Sequence, residues 1–114
     1  VEPTVFADVS NAATIAQEEI FGPVISVIPY RDEDEAVKIA NDSEYGLGGV
    51  VWSSDPIRAQ KLARRVQTGT IGINNYMIDV AAPFGGVKAS GLGRELGPES
   101  LNAYQQLQSI YLLG

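Results

Sequence analysis

The chain has 114 residues, 45% of them hydrophobic and 19% charged, with a net charge of −6. That length suits one compact domain, and the composition excludes a disordered or collagen-like chain. Eight basic against fourteen acidic residues weighs against nucleic acid or an anionic membrane as a partner.

There is no cysteine and no histidine. Disulfides, thiolate catalysis, imidazole acid–base work and most zinc sites are therefore excluded within this chain. The longest apolar stretch, Val24-Ile25-Ser26-Val27-Ile28, is far short of a membrane span. No basic, apolar leader is visible, so a cytoplasmic location is the expectation. The chain opens on Val1 and its one methionine is Met77, so the numbering is expected to start inside a longer product. Asn41-Asp42-Ser43 matches the N-glycosylation pattern and, without a secretion signal, is read as a chance match.

Residues 1–13 have no clear period, and Pro3 with its small neighbours predicts an irregular or extended start. Residues 24–30 form a β-rich run between Gly22-Pro23 and the acidic Asp32-Glu33-Asp34-Glu35, expected as a strand buried on both faces. A helix follows, capped by Asp32 or Asp34, with Ala36, Val37, Ile39 and Ala40 on its apolar face. Tyr45-Gly46-Leu47-Gly48-Gly49 breaks it, and Val50-Val51-Trp52 reads as a second buried strand. Asp55 and Pro56 then start another helix. Ala59, Leu62, Ala63 and Val66 give it a buried stripe. Gly69 ends it, and Thr70-Ile71-Gly72-Ile73-Asn74 is a third strand. Arg58, Lys61, Arg64 and Arg65 cluster at helical spacing, which suits a solvated helix face better than a phosphate-binding stripe.

Strand, helix, strand, helix, strand is the pattern of βαβ units. The fold class expected is α/β, with a βαβαβ core, right-handed connections and one parallel sheet. Beyond it lie a glycine-rich loop over residues 83–97, a short helix over 99–106 and a last strand over 108–113.

Two stretches carry candidate chemistry. In Glu18-Glu19-Ile20-Phe21-Gly22-Pro23 a carboxylate beside a turn can accept both hydroxyls of a ribose, and an aromatic two residues on can pack near a nicotinamide. The competing reading makes the glutamates the end of a solvated helix and Phe21 part of the core. The run from Pro83-Phe84-Gly85-Gly86 to Gly97 lacks the ending of a phosphate-binding P-loop and misses the dinucleotide fingerprint by one residue. It is read instead as a loop that lets backbones approach closely.

These stretches, with Tyr45-Gly46-Leu47, Gly69-Thr70, Asn74 and Ser90-Gly91-Leu92-Gly93-Arg94-Glu95-Leu96-Gly97, resemble in order and spacing the C-terminal quarter of NAD(P)-dependent aldehyde dehydrogenases. The resemblance covers essentially the whole chain. It implies a piece of an enzyme that oxidises an aldehyde to a carboxylic acid with NAD or NADP, through a cysteine thiolate, hydride transfer and thioester hydrolysis. By position, Glu19 matches the glutamate on the nicotinamide ribose and Phe21 the phenylalanine beside the nicotinamide. Phe84 matches an aromatic of the substrate tunnel, and Met77 falls in the loop at the tunnel mouth. Glu95 matches an accessory glutamate near the active site, and Arg94 an arginine at subunit contacts.

The same resemblance divides the chain into residues 1–106, part of a catalytic domain, and 107–114, an oligomerisation strand that joins a second copy. The competing reading folds that strand back onto its own sheet. The family's nucleophile, general base, oxyanion-hole asparagine and dinucleotide domain have no counterpart here. The loop over residues 75–83 is slightly short against the family pattern. Two rivals stand beside this reading: a free-standing oligomerisation module, and a semialdehyde or acyl-forming dehydrogenase relative.

Overall fold

A computed structural model describes all 114 residues. Its regular elements are β1 (Thr4–Phe6), α1 (Thr14–Gln17), β2 (Val24–Ser26), α2 (Glu33–Asn41), β3 (Val50–Val51), α3 (Pro56–Ala63) and β4 (Gly72–Ile73), then two 3-10 turns at Lys88–Ser90 and Pro98–Tyr104.

Helices α2 and α3 start where the side chains dictate. The Asp32 carboxylate accepts from the Glu35 amide at 2.9 Å, with Glu33, Asp34 and Glu35 in the first turn of α2. Asp55 accepts from Ile57 and Arg58 at 2.9 and 3.1 Å, and Pro56 opens α3. Each cap satisfies amides that have no partner inside the helix. At the other end of α2, Lys88 Nζ donates to the carbonyls of Asn41 and Ser43 at 2.7 and 2.9 Å, a cation placed where the helix dipole favours one.

The strands pair in parallel, as expected, but not in one sheet. β1 pairs with β2, matching Thr4 with Val24 and Phe6 with Ser26. β3 pairs with β4, matching Val50 with Gly72 and Val51 with Ile73. The single three-strand sheet is thus replaced by two separate two-stranded sheets. The opening residues supply a strand that has no periodic signature of its own. β2 is also shorter than the apolar run, because Pro29 has no amide for a ladder. Its pairing goes one step further, with Val27 donating to Phe6 O at 2.8 Å.

Burial is thinner than the sequence predicts. Only four residues are buried, and Ala59 and Ala63 on α3 are the hydrophobic ones. Leu62 and Val66 complete the predicted stripe but are half-buried, and Ile25 and Trp52 stand exposed on strands expected to be covered on both faces. Three short helices cannot cover both faces of two parallel sheets.

The helix expected over residues 99–106 is a 3-10 turn. The strand expected over residues 108–113 is not formed: residues 105–114 are exposed, without regular structure or backbone hydrogen bonds. They do not fold back onto either sheet, since an edge strand exists only against a partner strand.

Candidate functional site

The glycine-rich loop is a set of close backbone approaches. Phe84 and Glu95 form an isolated antiparallel bridge. Gly69 packs so tightly against Gly85 that an added Cβ would lie 1.6 Å from the Gly85 carbonyl oxygen. Arg94, matched to subunit contacts, here donates from Nη1 to Gly86 O and Gly93 O at 2.7 and 2.8 Å, tying the loop to itself. The Ser90 hydroxyl accepts from the Gly46 amide at 3.0 Å, joining the loop to the turn before β3.

Glu19 follows α1, whose end is marked by Glu18 in extended conformation. Its exposed carboxylate accepts no hydrogen bond from the chain. It stands on the wall of an open cleft of about 340 Å³ shared with Tyr45, Leu47, Thr68 and Ser90. Phe21 is 95% exposed, which overturns the reading of Phe21 as core. The glutamates do end a short helix, as the same reading held.

Met77 and Phe84 line one cleft of about 320 Å³, with Ile71, Tyr76, Ile78 and Pro83. The structure therefore gathers the candidate residues in two places, Glu19 in one cleft and Met77 with Phe84 in another. Glu95 reaches the second only through its backbone bridge to Phe84. A further cleft of about 680 Å³ between α2, β3 and α3 holds none of them. The basic cluster is partly paired: Arg58 bonds Glu33 and Arg65 bonds Asp34, both on α2, which supports a solvated helix face. Asn41 is engaged by Arg65 O and the Gln67 amide at 2.9 and 2.7 Å, a structural role.

Sequence reasoning gave no role to Tyr76 or to the Asn74 side chain. The Tyr76 hydroxyl lies 2.6 Å from Thr70 Oγ1. Thr70 Oγ1 in turn donates to Leu47 O at 2.9 Å. The Asn74 amide holds both backbone groups of Ser53, each at 2.7 Å, and so extends the β3–β4 ladder. Asn74 has φ of 56°, a conformation that asparagine tolerates better than most residues. An asparagine pair beside a strand end was the available signal; nothing local links Tyr76 to Thr70.

The family model described as "Aldehyde dehydrogenase family" matches residues 1–110. This chain belongs to the aldehyde dehydrogenase family. It is 69% identical, over all of its length, to a geranial dehydrogenase of Castellaniella defragrans and covers 24% of that protein. It is 49% identical over 98% of its length to a betaine aldehyde dehydrogenase of Brucella melitensis, covering 23% of it. Among solved structures, a Mycobacterium tuberculosis aldehyde dehydrogenase complexed with NAD+ superposes with a TM-score of 0.90 at 52% identity. That match covers 99% of this chain and 24% of the other. The chain thus spans about a quarter of the length of the relatives it matches. No helix is long and apolar enough to cross a membrane.

Proposed function

We propose that this chain is the C-terminal part of a full-length, cytoplasmic aldehyde dehydrogenase that oxidises an aldehyde to a carboxylic acid with NAD or NADP. The observation that carries the reading is the family match from residue 1 to residue 110, in a chain lacking the cysteine that this chemistry needs as nucleophile. The remaining catalytic groups belong to the rest of that longer protein, the chain's first partner. A second copy, met through residues 107–114, is the other.

The residues present fit the nicotinamide end of the cofactor. Glu19 offers two carboxylate oxygens with no partner in the chain, which suits the two hydroxyls of a ribose. Phe21 offers an uncovered ring face, which suits a flat heteroaromatic. When bound, NAD(P) supplies the hydride acceptor. Glu19 holds the ribose and Phe21 orients the ring beside it. Met77 and Phe84 wall the aldehyde's path and keep water from it. Glu95 keeps Phe84 in place through their paired backbones.

The test is the full-length protein, assayed for NAD(P)H formation with an aldehyde, alongside Glu19→Gln. Losing charge-assisted bonds to the ribose is expected to weaken cofactor affinity by about tenfold to a hundredfold. Unchanged affinity and turnover in Glu19→Gln would remove the ribose role, and no turnover in the parent would remove the activity.

A further inference from the structure

Resting on the reading of Glu19 as the residue that holds the ribose, we propose that Lys88 is a positioning residue for the cofactor cleft. It clamps the glycine-rich loop to the turn that forms most of the cleft's wall.

That wall is one stretch of chain. Beside Glu19, the cleft is lined by Ala40, Ser43 and residues 45–48, with Thr68 and Ser90. Five hydrogen bonds join residues 87–90 to this stretch. Lys88 Nζ donates to Asn41 O and Ser43 O at 2.7 and 2.9 Å. The amides of Val87 and Ala89 donate to Gly46 O and Glu44 O at 3.0 and 2.9 Å. The Gly46 amide donates to Ser90 Oγ at 3.0 Å. Only the two from Lys88 are charge-assisted, which makes them the stronger ones. Gly46 is buried, and a Cβ there would lie 2.6 Å from Gln67 O and from Val87 Cγ2. The wall and the loop are therefore packed as one piece.

The same turn holds the helix that leads to Glu19. Between the two carbonyls that Lys88 engages, Asp42 O accepts from Gln17 Nε2 at 3.1 Å. Gln17 is the last residue of α1, two before Glu19. Lys88 thus grips the carbonyls on either side of the one that tethers the Glu19 segment.

The backbone of Lys88 points to the side chain as the reason for the residue. Its φ is 57°, a left-handed conformation that strains a lysine and leaves a glycine at ease. A loop that needed only its path at this position would be served by glycine. Strain kept at one residue is a sign that its side chain has a task, and the half-buried Lys88 ammonium is spent on the turn's carbonyls.

The experiment measures equilibrium binding of NAD to the full-length enzyme by calorimetry, beside KM and kcat. Lys88→Met keeps the apolar stem and removes the donors. It is expected to weaken NAD binding by about threefold to tenfold, with a larger change in KM for NAD than in kcat. Lys88→Arg can also donate to carbonyls at a helix end and is expected to recover most of the affinity. A role confined to folding lowers the active fraction, and so kcat, with KM and the dissociation constant unchanged. That result overturns the inference, as does an arginine variant no better than the methionine one. Lys88→Gly removes the side chain and relieves the backbone, so it decides the question where Lys88→Met fails to fold. It too is expected to weaken NAD binding, and unchanged affinity overturns the inference. Glu19→Gln separates the two levels. If it weakens NAD binding while the Lys88 variants do not, only the positioning role falls. If it binds NAD as the parent does, the ribose reading falls and this inference with it.

Discussion

Phe84 and Glu95 exchange both of their backbone hydrogen bonds, each 2.7 Å long, and so close the glycine-rich loop around Gly85. Gly85 in turn rests on Gly69, where a Cβ would also come within 3.0 Å of Gly86 Cα. Backbone cannot give way as the tip of a side chain can. Gly69→Ala is expected to destabilise the full-length protein by about 1–3 kcal/mol and to raise the KM for aldehyde, because the shift passes through Gly85 to Phe84. Urea unfolding and steady-state kinetics check it. A variant as stable as the parent with the same KM shows that the approach is not needed.

The parts of this fold legible in the sequence were those decided locally. Asp32 and Asp55 announced their helices because a cap needs only a few neighbouring residues. The alanines of α3 announced the buried face by their spacing. Strand pairing was not legible, because it depends on what lies beside each strand. Residues 4–6 carry no periodic signal and pair with β2 all the same, while residues 108–113 carry a strong signal and pair with nothing in the single chain. The site divided in the same way. Glu19 and Phe84 were singled out by motif register alone, whereas Thr70 and Tyr76 meet only through tertiary structure.

The start of α2 has a pH-dependent contact. Glu35 lies 3.0 Å from Arg31 Nε and also accepts from the Arg31 amide at 2.6 Å. The side-chain bond, and then the backbone bond, hold the Glu35 carboxyl below its ordinary value of 4.5, while Arg31 is raised by the same pair. A carboxylate lowered on folding stabilises the fold above its unfolded range, and that contribution is lost as pH falls through the folded value. Full-length protein is therefore expected to melt higher than Glu35→Gln at neutral pH, with the gap closing below about pH 4. A gap that widens on acidification contradicts the assignment.

The isolated 114-residue chain is expected to oxidise no aldehyde, since it contains no cysteine and a carboxylate or hydroxyl does not replace the thiolate in this chemistry. It is also expected to bind NAD weakly, because Glu19 and Phe21 address only the nicotinamide end. Absorbance of NAD(P)H with short and long aldehydes tests the first point. Calorimetry tests the second: a dissociation constant near 1 μM, about −8 kcal/mol, would show that this chain holds a complete cofactor site.

The isolated chain is also expected to self-associate. Its radius of gyration is 18.5 Å and its extents are 70 × 35 × 25 Å, against about 13 Å for a compact domain of this length. Four buried residues leave most of its apolar surface in water, and that surface is the main driving force for association. The segment over residues 105–114 is the most available contact. Ile110, Tyr111, Leu112 and Leu113 are all exposed, and its backbone groups have no partner, so it can add as a strand to the open edge of another copy. Light scattering of the intact chain and of one ending at Gln106 separates the contributions. A dimer or larger species that falls to monomer on truncation supports the strand as the contact. An assembly unchanged by truncation places the contact on the uncovered sheet faces instead, and a monomer at high concentration rules out both.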